Sequence, residues 1–260
     1  MLRILRRILA ISLACACFLP AGAQTTLRIA AAADLLPVLP PILLQFQQES
    51  GIRAEATYKA SAMLTAQILN GAPFDVFLAA DTGYPQRLLA AHEADPTGIG
   101  GPAPVVYAKG TLVLWTRNDS GLPAPSLALL RDPKLVRLAI ANPDRAPYGK
   151  AAVAALQKAG LYSSLKPRLV IADDIAQTAQ FVDSGNAQAG LISMTSALTP
   201  RLKAEGRFFV IPPSLYPPLE QGAVIVRRST QQPAAHQFME FLLSARVQAE
   251  LAKAGLTPVE

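Results

Sequence analysis

Apolar positions along the chain follow two different spacings, which predict strands and helices in regular alternation. Short runs that are apolar throughout, or apolar at every second position, are typical of strands. They lie at 26–32, 52–58, 74–80, 111–117, 137–143, 168–173, 189–194, 207–213 and 221–228. Segments with apolar residues three and four apart predict helices at 39–51, 61–71, 82–94, 149–160, 176–185 and 234–254. This alternation predicts an α/β fold with mostly parallel sheets.

Two passages rich in proline and glycine, at 95–110 and 212–222, are candidate crossings between domains. If both are hinges, the chain builds part of one lobe, passes to a second, and returns to finish the first. The expected division is a first lobe of residues 24–107 plus 220–260 and a second lobe of residues 108–219. Two such lobes enclose a cleft, and small ligands favour domain interfaces. Proline-rich passages also form ordinary loops, so composition alone leaves a single domain open.

The first 23 residues carry the three parts of a secretory signal peptide. A basic start, "MLRILRR", precedes an apolar stretch of about twelve residues, and "AGA" before Gln24 is typical of a cleavage site. The apolar stretch is too short to span a bilayer. We therefore expect cleavage after Ala23 and a mature protein in the periplasm. A lipoprotein anchored through Cys15 or Cys17 is the alternative, but neither cysteine has a leucine three residues before it.

Composition excludes several classes of protein. Both cysteines precede the expected cleavage site, so the mature chain has no disulfide and no cysteine-bound metal. The net charge of +6 includes Arg3, Arg6 and Arg7, and it falls to about +3 without them. The other basic residues are scattered, whereas a nucleic-acid surface needs a clustered patch. We expect a soluble monomer with no cofactor, no free-cation site and no nucleic-acid partner.

The sequence carries no motif of an enzyme active site. His92 and His236 are the only histidines, and each stands among charged residues of a predicted helix, as solvated surface residues do. There is no G-x-S-x-G turn, no phosphate-binding Walker loop, and no G-x-G-x-x-G after a strand. We therefore predict that the chain is not an enzyme.

A recurring junction joins predicted strands to predicted helices. A helix begins directly after a strand near Asp34, Ser61, Tyr148 and Ile175. The first backbone amides of a helix have no partner within it and carry a partial positive charge, which favours an anion. Serine and aspartate are also the usual caps of any helix, so one junction alone indicates nothing more. Function requires several junctions to converge, and spacing along the chain does not show convergence.

Four segments resemble the periplasmic molybdate-binding proteins of ABC importers, in order and in the gaps between them. They are "AAADL" (31–35), "ASAMLTAQILNGAPFDVFLAAD" (60–81), "NPDRAPYGKAA" (142–152) and "DDIAQTAQFVDSGNAQAG" (173–190). The resemblance covers nearly the whole mature chain. It implies a type II periplasmic binding protein fold with a ligand cleft between two lobes. It also implies binding of molybdate and tungstate, with delivery to a membrane permease and its ATPase.

The resemblance also implies which residues hold the oxyanion. In that family hydroxyls and backbone amides bind it, without a fixed positive side chain. The matching positions here are Asp34, where the family usually has a serine, Ser61, the backbone amides of Tyr148 and Ile175, and Ser193, where the family usually has a tyrosine. Two side-chain donors therefore differ from the family pattern.

A site of this kind selects its ligand by hydrogen bonding and by size. Burying a dianion is unfavourable unless hydrogen bonds compensate it, and fixed amide dipoles do so in a defined geometry. A site with donors alone rejects a protonated oxyanion, because the hydroxyl of that oxyanion finds no acceptor. Size then separates molybdate and tungstate from the smaller sulfate.

Asp34 departs from this scheme, because a carboxylate beside an anion is unfavourable. One interpretation is that its side chain caps its own helix while its amide faces the cleft. Lys59 or Lys150, each next to a predicted binding position, is a candidate to neutralise it. Proline disfavours a helix interior, so the pair Pro40–Pro41 leaves two starts open, one at residue 35 and one near residue 40.

Other functions remain as alternatives to molybdate transport. A binding protein of this architecture for sulfate, phosphate or a small carboxylate is the nearest. A secreted enzyme on the same fold is a further alternative, because fold does not fix function. A ligand-sensing module is disfavoured, because the chain has no DNA-binding or kinase segment to which it would report.

Overall fold

The computed structural model describes residues 26–95 and 102–259. The predicted signal peptide and residues 96–101 of the first proline- and glycine-rich passage lie outside them. The strands are β1 (Leu27–Ala32), β2 (Ala54–Lys59), β3 (Val76–Leu78), β4 (Ala94–Asp95), β5 (Val105–Gly110), β6 (Leu112–Arg117), β7 (Leu138–Ala141), β8 (Leu169–Ala172), β9 (Ala189–Ser193), β10 (Gly206–Val210) and β11 (Leu219–Val226). The helices are α1 (Leu39–Ser50), α2 (Ser61–Leu69), α3 (Gly83–Ala90), α4 (Pro147–Lys158), α5 (Tyr162–Leu165), α6 (Ile175–Asp183), α7 (Met194–Ala197), α8 (Pro200–Glu205), α9 (Gln232–Leu242) and α10 (Ala245–Lys253).

The strands form two sheets, each at the centre of one lobe. The first sheet has the order β2-β1-β3-β11-β4, and β5 also pairs with β11. The second sheet has the order β10-β6-β9-β7-β8. β1 is parallel to β2 and β3, and β7 is parallel to β8 and β9. The carboxyl ends of each parallel group therefore lie at one edge of their sheet.

The two-lobed α/β fold is confirmed, but the expectation of mostly parallel sheets is wrong. β11 runs antiparallel to β3, β4 and β5, and β6 runs antiparallel to β9 and β10. These two strands are the ones that enter a sheet from the other lobe. A chain that crosses between the lobes enters at the edge where the parallel strands end, so it runs against them.

The chain crosses between the two sheets twice. It passes from Gly110, the end of β5, to Leu112, the start of β6, and it returns between Val210 and Leu219. Both crossings fall at or beside the passages that composition singled out. The residue bounds of the two domains themselves stay a prediction.

Helices cover both faces of each sheet, which leaves the sheet edges to face the other lobe. On the first sheet α1, α9 and α10 pack on one face, where the rings of Phe46 and Phe238 meet edge to face at 5.3 Å. α2 and α3 cover its other face. The second sheet packs against α4 and α5 on one side and against α6, α7 and α8 on the other. In the part of the chain that the structure describes, no helix has the length and apolar character of a membrane span.

The segment after β1 takes the later of the two helix starts left open. A 3-10 turn spans Ala33–Leu35, and α1 begins only at Leu39, with Pro40 and Pro41 in its first turn. A proline ring fits there because the missing N–H is not needed in the first turn. Asp34 consequently lies in a tight turn rather than in a regular helix.

The two lobes touch across the cleft. The amide of Ala62 donates to the carbonyl of Arg145 at 3.1 Å. The hydroxyl of Thr195 donates to the carbonyl of Asp34 at 2.8 Å. Small buried residues of the first lobe join the apolar core of the second, namely Ala32, Ala33, Ala60 and Ala80. The cleft is therefore closed.

Candidate functional site

A small cavity lies between the lobes, where the parallel strands of both sheets end. Its empty volume, which includes space open to solvent, is about 200 Å³. The residues that line it are Ala32, Ala33, Asp34, Ala60, Ser61, Ala80, Ala146, Pro147, Tyr148, Asp174 and Ile175. All of them are buried except Asp174, which is partly buried. The cavity suits a small ligand held away from bulk solvent.

Three helices begin at this cavity, and residues of their first turns line it. Ser61 is the first residue of α2, Tyr148 the second of α4, and Ile175 the first of α6. Amides in the first turn have no partner within their own helix, and the helix dipole makes that end partly positive. Pro147 has no N–H at all, so the first amide that α4 offers is that of Tyr148. The convergence that sequence spacing could not show is present here.

The hydroxyl of Ser61 lies at the same cavity. Ser61 is 1% exposed, and its Oγ accepts a hydrogen bond from the amide of Ala80 at 3.1 Å. A serine hydroxyl has one hydrogen to donate besides its acceptor sites. Because Oγ acts as an acceptor toward Ala80, its hydrogen remains for an acceptor in the cavity.

Asp34 is completely buried, and its side chain bonds neither of the partners that the sequence suggested. Neither the 3-10 turn nor α1 has a side-chain cap, so the capping interpretation is wrong. Among the ion pairs of the described residues, none joins Asp34 to Lys59 or Lys150. The ammonium of Lys150 instead lies 4.9 Å from the centre of the Tyr84 ring.

Asp34 is bonded through one carboxyl oxygen only. Its Oδ2 accepts from the hydroxyl of Tyr148 at 3.2 Å and from the side-chain amide of Gln221. Its Oδ1 is buried and has no hydrogen-bond partner among the residues that the structure describes. Burial raises the pKa of Asp34 from 3.8 to about 6, against the opposing effect of the bonds from Gln221 and Tyr148. A carboxyl so placed titrates near neutral pH.

Gln221 and the hydroxyl of Tyr148 are features of the site that sequence reasoning missed. Gln221 is a fully buried amide in β11, where every other buried residue is apolar or glycine, and that contrast was the available signal. Tyr148 was predicted to contribute its backbone, whereas its side chain also reaches across the cleft to Asp34. Gly110 makes room for this contact, because a Cβ there would overlap the Tyr148 hydroxyl.

Ser193 is the one predicted site residue that does not line the cavity. It caps α7, and its Oγ accepts from the amide of Ser196 at 3.2 Å. The same oxygen lies 2.8 Å from the hydroxyl oxygen of Thr195, which in turn donates to the carbonyl of Asp34. Ser193 is therefore linked to the cavity residue Asp34 only through Thr195.

The cavity carries no fixed positive side chain. Among its lining residues there is no lysine, arginine or histidine, and the only acidic ones are Asp34 and Asp174. Asp174 caps α6 by accepting from the amide of Gln177 at 2.9 Å. In residues 26–95 and 102–259 no group of three or more histidine, cysteine or acidic side chains is arranged to hold a metal ion. Hydrogen-bond donors of the backbone and hydroxyls are what this site offers a ligand.

Comparison with known proteins assigns the family. The model of the bacterial extracellular solute-binding proteins matches residues 27–257. The chain belongs to that family. The molybdate-binding protein ModA of Azotobacter vinelandii is 35% identical over 222 residues, which cover 85% of this chain and 86% of that protein. ModA of Rhodobacter capsulatus is 33% identical over 224 residues, which cover 86% of this chain and 84% of that protein.

A comparison with solved structures agrees with the comparison of sequences. The periplasmic molybdate-binding protein of Azotobacter vinelandii matches with a TM-score of 0.81 at 29% identity, covering 90% of this chain and 100% of that one. The resemblance stated from four sequence segments is thereby confirmed, together with the fold that it implies. The relatives are binding proteins, which confirms the prediction that this chain is not an enzyme. The individual binding residues remain a prediction.

Proposed function

We propose that the chain is the periplasmic component of an ABC importer that binds molybdate, and tungstate as well, and delivers it to a membrane permease and its ATPase. The observation that carries the proposal is the convergence of the Ser61 hydroxyl with the amides of Tyr148 and Ile175 on a small closed cavity without a cationic side chain. Relatives that are molybdate-binding proteins support the choice of ligand. The signal peptide expected from the sequence supports a periplasmic location.

The energetics of such a site favour an oxyanion. A hydrogen bond to a charged group contributes about 1.5–3 kcal/mol, roughly twice a neutral one. Several of them around a buried dianion offset its desolvation and support micromolar binding, which corresponds to about −8 kcal/mol. The closed cleft strengthens these interactions by excluding water. The mature protein acts as a monomer that closes over its ligand and docks on the permease in the closed form.

Thermal melting of the purified mature chain tests the proposal. A ligand that binds only the folded state raises the free energy of unfolding by mass action, by about 2.7 kcal/mol when its concentration is a hundred times Kd. The melting temperature rises as a result. Molybdate and tungstate are expected to raise it by several degrees, and sulfate by much less. The Ser61→Ala variant serves as the control for the site, with a smaller shift. A shift with sulfate or phosphate alone would assign the chain to the other oxyanion. No shift with any of the four would refute the proposal.

A further inference from the structure

The hydrogen bonds around Asp34 distinguish its two oxygens. The side-chain amide nitrogen of Gln221 is a donor only, and it bonds Oδ2 together with the Tyr148 hydroxyl. Two donors on one oxygen favour Oδ2 as the carbonyl oxygen of a neutral acid. The acidic hydrogen then lies on Oδ1, which is fully buried and has no hydrogen-bond partner among the described residues.

An unsatisfied buried polar atom in a native structure calls for a partner. Asp34 lines the cavity, so what binds there is the remaining candidate for Oδ1. A fully ionised oxyanion presents acceptors on every side. An ionised Oδ1 would set acceptor against acceptor and charge against like charge, whereas a protonated Oδ1 completes the hydrogen bond.

We infer that Asp34 takes part in binding as a neutral acid whose Oδ1–H donates to the bound oxyanion, so that an ionised site takes up one proton from solvent when the ligand enters. The inference rests on the proposed function. It explains how a carboxyl in this chain can take the place of a neutral hydrogen-bond donor. The only bonds that change are O–H bonds: one breaks in the solvent donor and one forms on Oδ1 of Asp34. The proton comes from water and stays on Asp34 while the ligand is bound.

Burial of Asp34 already favours its protonated form before the ligand binds. The pKa of Asp34 is already raised to about 6, and a bound dianion raises it further because an adjacent negative charge disfavours ionisation. Only the protonated fraction of the empty protein binds without extra cost. Affinity is therefore at its maximum below about pH 6 and falls about tenfold per pH unit above it.

The buried tyrosines near Asp34 do not titrate in its place. Burial raises the pKa of Tyr148 and of Tyr107 well above the ordinary value, so both stay neutral. From the elements packed around the 3-10 turn, the groups that face Asp34 or line the cavity are Tyr107 on β5, Tyr148 on α4, Asp174 before α6, and the neutral Gln221 on β11 and Thr195 on α7. Asp174 is already engaged with the amide of Gln177.

The same geometry separates ionised from protonated oxyanions. Hydrogenphosphate brings its own hydroxyl and requires an acceptor, which only the ionised Oδ1 supplies. Its binding would strengthen as Asp34 loses its proton. Molybdate, tungstate and sulfate, which are fully ionised near neutral pH, show the opposite dependence. Asp34 thus determines which class of oxyanion the site accepts at a given pH.

Calorimetric titration of the mature protein with sodium molybdate between about pH 6 and 8.5, in buffers of different ionisation enthalpy, tests the inference. For the wild type we expect affinity to fall close to a hundredfold from about pH 6.5 to 8.5, with uptake of about one proton at the higher pH. Asp34→Asn reproduces the neutral acid, with an oxygen for Tyr148 and Gln221 and an amide for the ligand. This variant is expected to bind with an affinity independent of pH and without proton uptake.

Asp75→Asn is the matched control, because it removes a buried carboxyl that does not line the cavity. It should keep the pH slope of the wild type.

Binding by the wild type that is independent of pH, or a slope that persists in Asp34→Asn, would overturn the inference and leave the proposed function intact. Loss of binding in a folded Asp34→Asn, with its fold checked by circular dichroism, would also overturn it, since the carboxylate would then be required. Absence of molybdate and tungstate binding by every folded form would refute the proposed function itself.

Discussion

Strands β1 and β3 lie side by side, and each end of the pair carries a buried aspartate. Asp75 precedes β3 at the amino end. Its Oδ2 accepts from the amide of Arg28 at 2.7 Å, and its Oδ1 accepts from the hydroxyl of Ser229 at 2.5 Å. Asp34 follows β1 at the carboxyl end, and only its Oδ2 has partners in the described part of the chain. The first carboxyl is satisfied by the fold, and the second is left with an open bonding position.

The spaces beside the two aspartates differ in size and in charge, and both differences would favour the Asp75 side as an anion site. Beside Asp75 lies an open groove of about 970 Å³ that includes Arg28 and Arg228. The cavity beside Asp34 has about 200 Å³ and no basic side chain. Size and positive charge would favour the groove as an anion site. The converging helix starts and the unsatisfied oxygen lie at the smaller cavity, at the carboxyl edge of the parallel strands where ligands of open α/β sheets bind.

The largest expected effect is on the free energy of unfolding, which should change in opposite directions when Asp34 and Asp75 are replaced by asparagine. The folded pKa of Asp34, about 6, exceeds its ordinary 3.8, so the folded state holds this proton longer and the free energy of unfolding falls as pH rises from about 4 to 6. A shift of about two units corresponds to about 3 kcal/mol. Asp34→Asn should therefore gain up to about 3 kcal/mol at about pH 8 without ligand. Asp75→Asn should lose about 1–3 kcal/mol at either pH, because it weakens bonds to a charged group.

Urea unfolding at about pH 5 and 8 measures both variants. A loss of stability in Asp34→Asn at the higher pH would contradict the difference between the two ends of the sheet. Equal changes in the two variants would contradict it as well.

The next effect concerns two serines, Ser61 at the cavity and Ser229 beside Asp75. Ser61→Ala removes a hydroxyl at the cavity and should weaken molybdate binding about 10- to 100-fold, the value of one hydrogen bond to a charged group. Ser229→Ala removes the partner of Asp75 and should leave binding unchanged while lowering stability by about 1–2 kcal/mol. Calorimetry and urea unfolding of each variant check the pair. Weakened binding in Ser229→Ala would move the site toward the groove.

A smaller effect tests the bond across the cleft. Tyr148→Phe removes a donor that lowers the pKa of Asp34, so this pKa should rise by about one unit, equivalent to about 1.4 kcal/mol. Carbon-13 NMR titration of the carboxyl follows the change directly. Tyr84→Phe, which keeps the ring contacted by Lys150, is the control and should leave the titration where it is. An unchanged pKa in Tyr148→Phe would show that the hydroxyl does not act on Asp34.

The smallest effect concerns Ser193. Because its hydroxyl contacts Thr195 rather than the cavity, Ser193→Ala should weaken molybdate binding less than about fivefold, within the range of a neutral hydrogen bond. It should in any case weaken binding less than Ser61→Ala does. The opposite ranking, measured in the same calorimetric series, would place Ser193 in direct contact with the ligand.

Local patterns predicted most of the elements and several of the cavity residues. The first strand, helix starts near Ser61, Tyr148 and Ile175, and the two crossings are present in the structure. Strand direction was mispredicted, because an apolar run reads the same in either direction and only the crossings orient β6 and β11. Gln221 was missed because its partner Asp34 is 187 residues away in the sequence.

The sequence by itself determined the alternation of elements and the family to which the chain belongs, because each depends on neighbouring residues or on a motif of a few positions. Only the tertiary structure decided what Asp34 does. Its burial, its two donors on one oxygen and its unsatisfied Oδ1 arise from segments of both lobes that meet at the ends of the strands. The protonation of a carboxyl depends on all the dipoles and all the water around it, and these are properties of the folded chain.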